Sequence, residues 1–337
     1  MAEIVLGLGT SHGPQLMVPP EMWELREAAD RKNTHLHYQG EIYDFDRLAA
    51  KRKSERDFPA EIHLERKRAR FAQCQTSLKA LRDAFAAAQA DIAVVLGNDQ
   101  FELFTDVNIP AFSVFWGKSF QNIPKTEEQM AKLPQGVAPA EQGYAPAATA
   151  DYAGEPDLGK FIIDRLIDAE FDVAQSRQLP VGPFGNNSVP HAYGYVYRQI
   201  MMDKVIPSVP VMINTHYPPN RPSARRCFNF GIELARAIRA WPGQQRVAMI
   251  ASGGMTHYVI DEKFDAQVFD AVRASDWETI RSLPETMFEA GTAEHKNWIP
   301  LYGAMAEAGK KLEFMDYVPC YRSEAGTGNA MGFAYWR

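Results

Sequence analysis

The sequence predicts an α/β fold, a single domain over residues 1–337 with a central, mostly parallel or mixed β-sheet flanked by helices. Three observations predict it. Short apolar runs rich in Val, Ile and Phe recur along the chain, helical patterns lie between them, and no internal repeat divides the whole. The runs are Ile4–Leu8, Ile92–Leu96, Ala111–Phe115, Val209–Ile213 and Val247–Ile250, each read as a buried strand. Among the helices, Leu64–Ala88 is rich in Ala, Arg and Leu and lacks Gly and Pro, the composition of a long helix. Leu158–Ala169 sets Leu158, Phe161, Ile162 and Leu166 at amphipathic spacing. Ser223, after Pro222, caps a helix running to Trp241. Phe264–Val272 and Trp298–Ala308 complete the set.

Two long insertions break this alternation. Residues 20–60 are polar and charged and read as a surface excursion. Residues 118–156 are rich in Pro, Ala, Glu and Gln with little periodicity, the pattern of a functional lid or an interface arm.

Composition narrows the function. With 46% apolar and 23% charged residues over 337 positions, the chain buries a core without staples. A formal net charge of −6 argues against a dedicated nucleic-acid binder, which carries a basic face. Cys74, Cys227 and Cys320 form no CxxC and cannot all pair, which fits a reducing compartment. The opening MAEIVLGLGTSHGP lacks a positive n-region and reads as a strand rather than a signal peptide. No run approaches the ~18 apolar residues of a membrane helix. The expectation is a cytoplasmic protein with no membrane or nucleic-acid partner.

The eight histidines carry the chemistry. His12 follows the first strand, His216 ends VPVMINTH, and His257 follows RVAMIASGGMTH, while DIAVVLG runs into Asn98, Asp99 and Gln100. Ligands of open α/β sheets bind at the carboxyl ends of strands, so these groups point to one shared polar pocket. His191 begins an aromatic-rich helix and is placed to face it. His35 and His37 form an HxH in a charged segment and read as solvated, as does His63 at a helix start. No GxSxG, P-loop or HExxH motif is present, and GLGTSHG has Ser where a dinucleotide turn needs its third Gly. Two imidazoles and a carboxylate suit non-haem Fe(II), and zinc accepts the same donors.

TSHGP, ADIAVVLGNDQ, NTHYPPNRPSARRCFNFG, GGMTH and GTGNAMGF occur here in that order, and together they resemble the class III extradiol ring-cleavage dioxygenases. These LigB-type enzymes have the β subunit of protocatechuate 4,5-dioxygenase as their reference member. The resemblance spans nearly the whole chain and is greatest to the single-chain branch that acts on 3-O-methylgallate. It implies ring cleavage of a catechol-type acid by O2 at Fe(II), with 3-O-methylgallate, gallate or protocatechuate as substrate. It places metal ligands at His12 and at Glu294, which stands four residues before Trp298 as the family's Glu stands before a Trp. The second His of the family falls at Gln100, a neutral and poorer donor to Fe(II). Gln100 itself, or His216, His191 or Glu102, then supplies the third ligand. The family's acid/base His maps onto His257, and His191 stands in for a second active-site His. The substrate carboxylate maps onto Thr327, with Arg322 or Lys296 as charge partner. The two insertions are long enough to cover the pocket within one chain or across a homodimer. Two other readings remain: a zinc-dependent hydrolase or lyase on the same scaffold, and a non-catalytic subunit.

Overall fold

The computed structural model describes residues 1–337. Thirteen strands form in chain order: β1 Glu3–Thr10, β2 Leu36–Tyr38, β3 Glu41–Tyr43, β4 Ile92–Asn98, β5 Phe112–Phe115, β6 Ser119–Asn122, β7 Ala150–Ala153, β8 Ala174–Ser176, β9 Ser208–Ile213, β10 Arg246–Ser252, β11 His257–Val259, β12 Leu312–Tyr321 and β13 Thr327–Trp336. Nine make one mixed sheet in the order β11-β13-β1-β10-β4-β9-β5-β8, with β12 on β13. β1, β10, β4 and β9 pair in parallel, so their carboxyl ends emerge along one edge. The antiparallel partners β5 and β13 flank this block.

The parallel strands are apolar on both faces because helices cover both. One core layer holds Val94, Leu96, Val211 and Met249 against the helices Ala224–Ala240 and His295–Ala308. The other holds Leu6, Leu8, Val95 and Ile250 against Leu64–Ala88, whose ends agree with the sequence reading. Ser223 caps its helix as expected, its side chain accepting from the Arg226 amide. The glycines of GLGT have a packing role. A Cβ on Gly7 would lie 2.2 Å from Met305 Sδ, and one on Gly9 would lie 2.3 Å from the Trp298 ring. Those glycines admit the last helix rather than a phosphate.

Residues 20–60 depart from the expected surface excursion. Leu36, Tyr38, Tyr43, Phe45 and Leu48 form a small core with Val259 and Ala325, and Trp23 is buried below 118–156. The second insertion has its own β6–β7 hairpin. Its buried Phe120, Tyr144 and Tyr152 join the core layer beneath Leu64–Ala88. No helix is long and apolar enough to cross a membrane.

The helices Ala224–Ala240 and His295–Ala308 approach through glycine. A Cβ on Gly231 would stand 1.8 Å from the Pro300 carbonyl oxygen, a backbone atom that cannot swing away. Gly231→Ala is expected to lower the unfolding free energy by about 1–3 kcal/mol, read from chemical denaturation.

Candidate active site

The carboxyl edge of the sheet opens on a cavity of about 300 Å³ that contains His12, Gln100, Glu102, His191, His257 and Glu294. They arrive from five places in the fold, Gln100 and Glu102 sharing the loop after β4. His12 lies two residues past β1, Gln100 two past β4, and His257 starts β11 just after the GGMT turn that follows β10. His191 opens the short helix His191–Tyr195, and Glu294 ends the turn Ala290–Glu294 that leads into the last long helix.

Hydrogen bonds fix the Nδ1 hydrogen of two imidazoles, so that in each neutral ring Nε2 holds the lone pair. The Ser252 hydroxyl donates to the Ala192 carbonyl at 2.7 Å, so its oxygen must accept from His12 Nδ1 at 3.0 Å. His12 Nε2 is then a free lone pair, 3.3 Å from Glu294 Oε2. His257 Nδ1 faces the Met255 carbonyl at 2.9 Å, an acceptor only, so this nitrogen carries hydrogen. Its Nε2 is left bare, 3.7 Å from Glu294 Oε1. Gly254 and Gly291 press on the His257 ring from two sides, where any Cβ would lie 2.5 Å from a ring atom.

Glu294 is the buried charge of the site. Burial alone would raise it, but the imidazoles of His12 and His257 outweigh that and hold its carboxyl well below the usual range. The Gly254 amide and the Gln100 side-chain amide donate to it at 2.5 and 2.6 Å. His12 moves down because burial exceeds the pull of Glu294.

His191 completes a ligand set. Side-chain donor atoms of His12, His191 and Glu294 all lie within 4.8 Å of one another, close enough to converge on one ion. His191 Nδ1 meets Glu102 Oε1 at 2.5 Å, and the His191 amide also donates to that carboxylate. A carboxylate behind an imidazole is the usual support of a metal-bound His, so Glu102 orients a ligand rather than acting as one. Burial opposes the charge on His191, yet Glu102 and Glu294 push it up to about 8. Asp99 shapes this loop by accepting from the amides of Glu102, Leu103 and Phe104.

Gln100 Nε2 donates to Glu294 Oε1 at 2.6 Å, which sets its side chain beside the trio. Burial pushes His216 down to about 4, and its Nδ1 pairs with the Thr215 hydroxyl, outside the cavity lining. The residues expected to read a carboxylate are also engaged elsewhere. Arg322 grips Asp30 through Nε and Nη2 at 2.6 and 2.9 Å, and the Thr327 hydroxyl donates to the same carboxylate at 2.6 Å. Arg322 touches the cavity with its charge already matched, whereas Thr327 does not line it. Lys296 is buried against Glu285, away from the pocket. His35 and His37 take no part in the ligand cluster.

Both insertions wall the cavity of their own chain. Met22, Trp23 and Arg26 come from the first; Lys125, Leu133, Gly136, Val137, Glu141 and Tyr144 come from the second. Tyr144 donates to the His12 carbonyl at 2.8 Å and sets its ring edge-on to His191. Sequence reasoning missed Ser252, Tyr144 and Arg26, which carry no local signal because only tertiary packing brings them to the site.

Residues 61–330 match the family described as the catalytic LigB subunit of aromatic ring-opening dioxygenase. The chain belongs to that family. A gallate dioxygenase of Pseudomonas putida KT2440 is 25% identical over 197 residues, 53% of this chain and 54% of that protein. The chain thus spans about half the length of this relative. Among solved structures, an uncharacterized Escherichia coli K12 protein, JW3007, is similar with a TM-score of 0.38 and 14% identity, over 76% of this chain and 91% of that one. At that score the likeness carries no argument. His12, His191 and Glu294 are the group of this LigB-family chain that could hold a metal.

A metal held by this trio is lost from His12→Ala, His191→Ala and Glu294→Ala and retained by Gln100→Ala. Glu102→Gln weakens it by about 10–100-fold. Metal content after dialysis checks each variant.

Proposed function

We propose that this protein cleaves the ring of a catechol-type aromatic acid beside its diol with O2 and Fe(II). The substrate of choice is 3-O-methylgallate or a related gallate or protocatechuate. The observation that carries this reading is the convergence of His12, His191 and Glu294 in a walled cavity that also presents the bare Nε2 of His257. Membership of the LigB family and similarity to a gallate dioxygenase support it.

The donor set fits Fe(II), since two imidazoles and one carboxylate leave further positions open for substrate and O2. When bound, Fe(II) supplies the electronic link between an electron-rich ring and O2. The chain's own residues do the rest. His257 Nε2 takes a proton from a ring hydroxyl, and the hydrogen bond from Nδ1 to Met255 stabilises the imidazolium that results. Held in place between Gly254 and Gly291, the same Nε2 can return that proton to the opened product. Trp23, Val137 and Tyr144 line the cavity with apolar and aromatic surface, against which a ring can pack.

Oxygen uptake by Fe(II)-loaded protein, measured against gallate, protocatechuate, 3-O-methylgallate and catechol, tests the proposal. Iron-dependent uptake with one favoured ring pattern is expected. His257→Phe should cut turnover by at least ~100-fold while keeping its metal. Metal binding with no uptake on any ring would overturn the proposal in favour of a hydrolytic site, and retained turnover in His257→Phe would remove the assigned base.

A further inference from the structure

Three cations line the cavity: Arg26, Lys125 and Arg322. Two of them are matched within the protein. Arg322 is clasped by Asp30 and also donates to Gln15 and Asn329, and Lys125 donates to Glu141 at 2.6 Å. Arg26 has no carboxylate within 4 Å and no side-chain hydrogen bond to the protein, although it is half-buried. Its stem is held in place, because Gly136 of the second insertion sits over it so closely that a Cβ there would lie 2.9 Å from Arg26 Cγ. Burial and the like charge of Arg322 lower Arg26 by more than Tyr258 and the Asp30 carboxylate raise it. An uncompensated, packed guanidinium in an otherwise balanced cavity calls for an anion, and its planar fork matches a carboxylate.

We propose that Arg26 is the specificity residue that binds the carboxylate of the ring substrate, so that the first insertion reads the acid while the sheet edge holds the diol. This rests on the ring-cleavage reading above. It moves carboxylate recognition from Thr327, whose hydroxyl is spent on Asp30, to a residue that only the fold brings to the site. Gly136 acts with it by leaving room for the Arg26 stem between the two insertions.

Gallate and pyrogallol are the same trihydroxy ring with and without a carboxylate, so their comparison isolates the contact. Anaerobic calorimetry on the metal-loaded protein, with wild type, Arg26→Ala and Arg26→Lys, measures it without turnover. Wild type is expected to bind gallate more tightly than pyrogallol. Arg26→Ala should weaken gallate by about 10–100-fold and leave pyrogallol unchanged, which also shows that the variant is folded. Arg26→Lys should recover part of the loss. Equal weakening of both rings would assign Arg26 to packing and overturn the proposal, as would a wild type that does not distinguish them. Benzoate, which has the acid and no diol, separates the two readings. If benzoate binding is lost in Arg26→Ala while no ring is cleaved, the anion site stands and ring cleavage falls. If rings are cleaved and gallate binding ignores Arg26, the reverse holds.

Discussion

A single buried carboxylate organises this protein. Glu294 is 1% exposed, and an unpaired charge at that depth would cost several kcal/mol. The surrounding structure meets that cost from separate elements: His12 after β1, Gln100 after β4, the Gly254 amide after β10, and His257 at β11. Parallel strands make this possible, since only in a parallel block do β1, β10 and β4 all end on the same edge. Even the helix Glu294 leads into is fixed to that edge, through Asn297 donating to Asn98 and Trp298 donating to the Gly253 carbonyl. The sheet topology and the site therefore answer to the same electrostatic requirement.

The second constraint is enclosure. A ring-cleaving site needs to keep bulk water from its reactive groups. Here the cover is built from two stretches of short helices and two-stranded hairpins that lie outside the main sheet. They are held down at defined points: Asp30 by the Arg322 guanidinium, Tyr144 by the His12 carbonyl, Trp23 by the Val18 carbonyl. The Asp30–Arg322 pair is almost completely buried, and removing one partner of such a pair costs about 3–5 kcal/mol. Enclosure and recognition are coupled in this arrangement. The acid that anchors the first insertion uses up the cation and hydroxyl otherwise available to a ligand, leaving Arg26 on the cavity side.

Elements with a strong local pattern were legible in the sequence. Leu64–Ala88 matched to the residue because its composition is uninterrupted, and the Ser223 cap located its helix because a side-chain acceptor there has one use. β13 was not legible as a strand. Its TGNAMGFAYW has few β-branched residues, and its glycines and alanines are explained by close packing, as where Gly332 meets Met255 and Phe269. Residues 20–60 misled for the opposite reason. Their charges are real, but Tyr38, Tyr43 and Phe45 are spaced among them, and the small core they form needs Val259 and Ala325 from far along the chain. His12, His257 and Glu294 were readable because strand ends and short motifs place them. Arg26 was not, since one Arg in a charged segment looks like any other until the chain folds over it.

The resemblance puts a histidine where Gln100 stands, and the fold brings His191 to the same pocket. A ligand set is a group of atoms in space, and His191 reaches it from 91 positions beyond Gln100, with its ring centroid 4.8 Å from that of His12. The loop after β4 then keeps its place in the site with a changed task. Asp99 winds it by accepting three backbone amides, Gln100 steadies Glu294, and Glu102 holds His191. The loop that in the resemblance donates a ligand here also holds two neighbours of the cavity, Glu294 and His191. His191 begins its helix at the cavity wall, where Pro190 precedes it and the Tyr193 hydroxyl sits between the Gly97 and Val211 carbonyls, 2.8 Å from the nearer one, Val211.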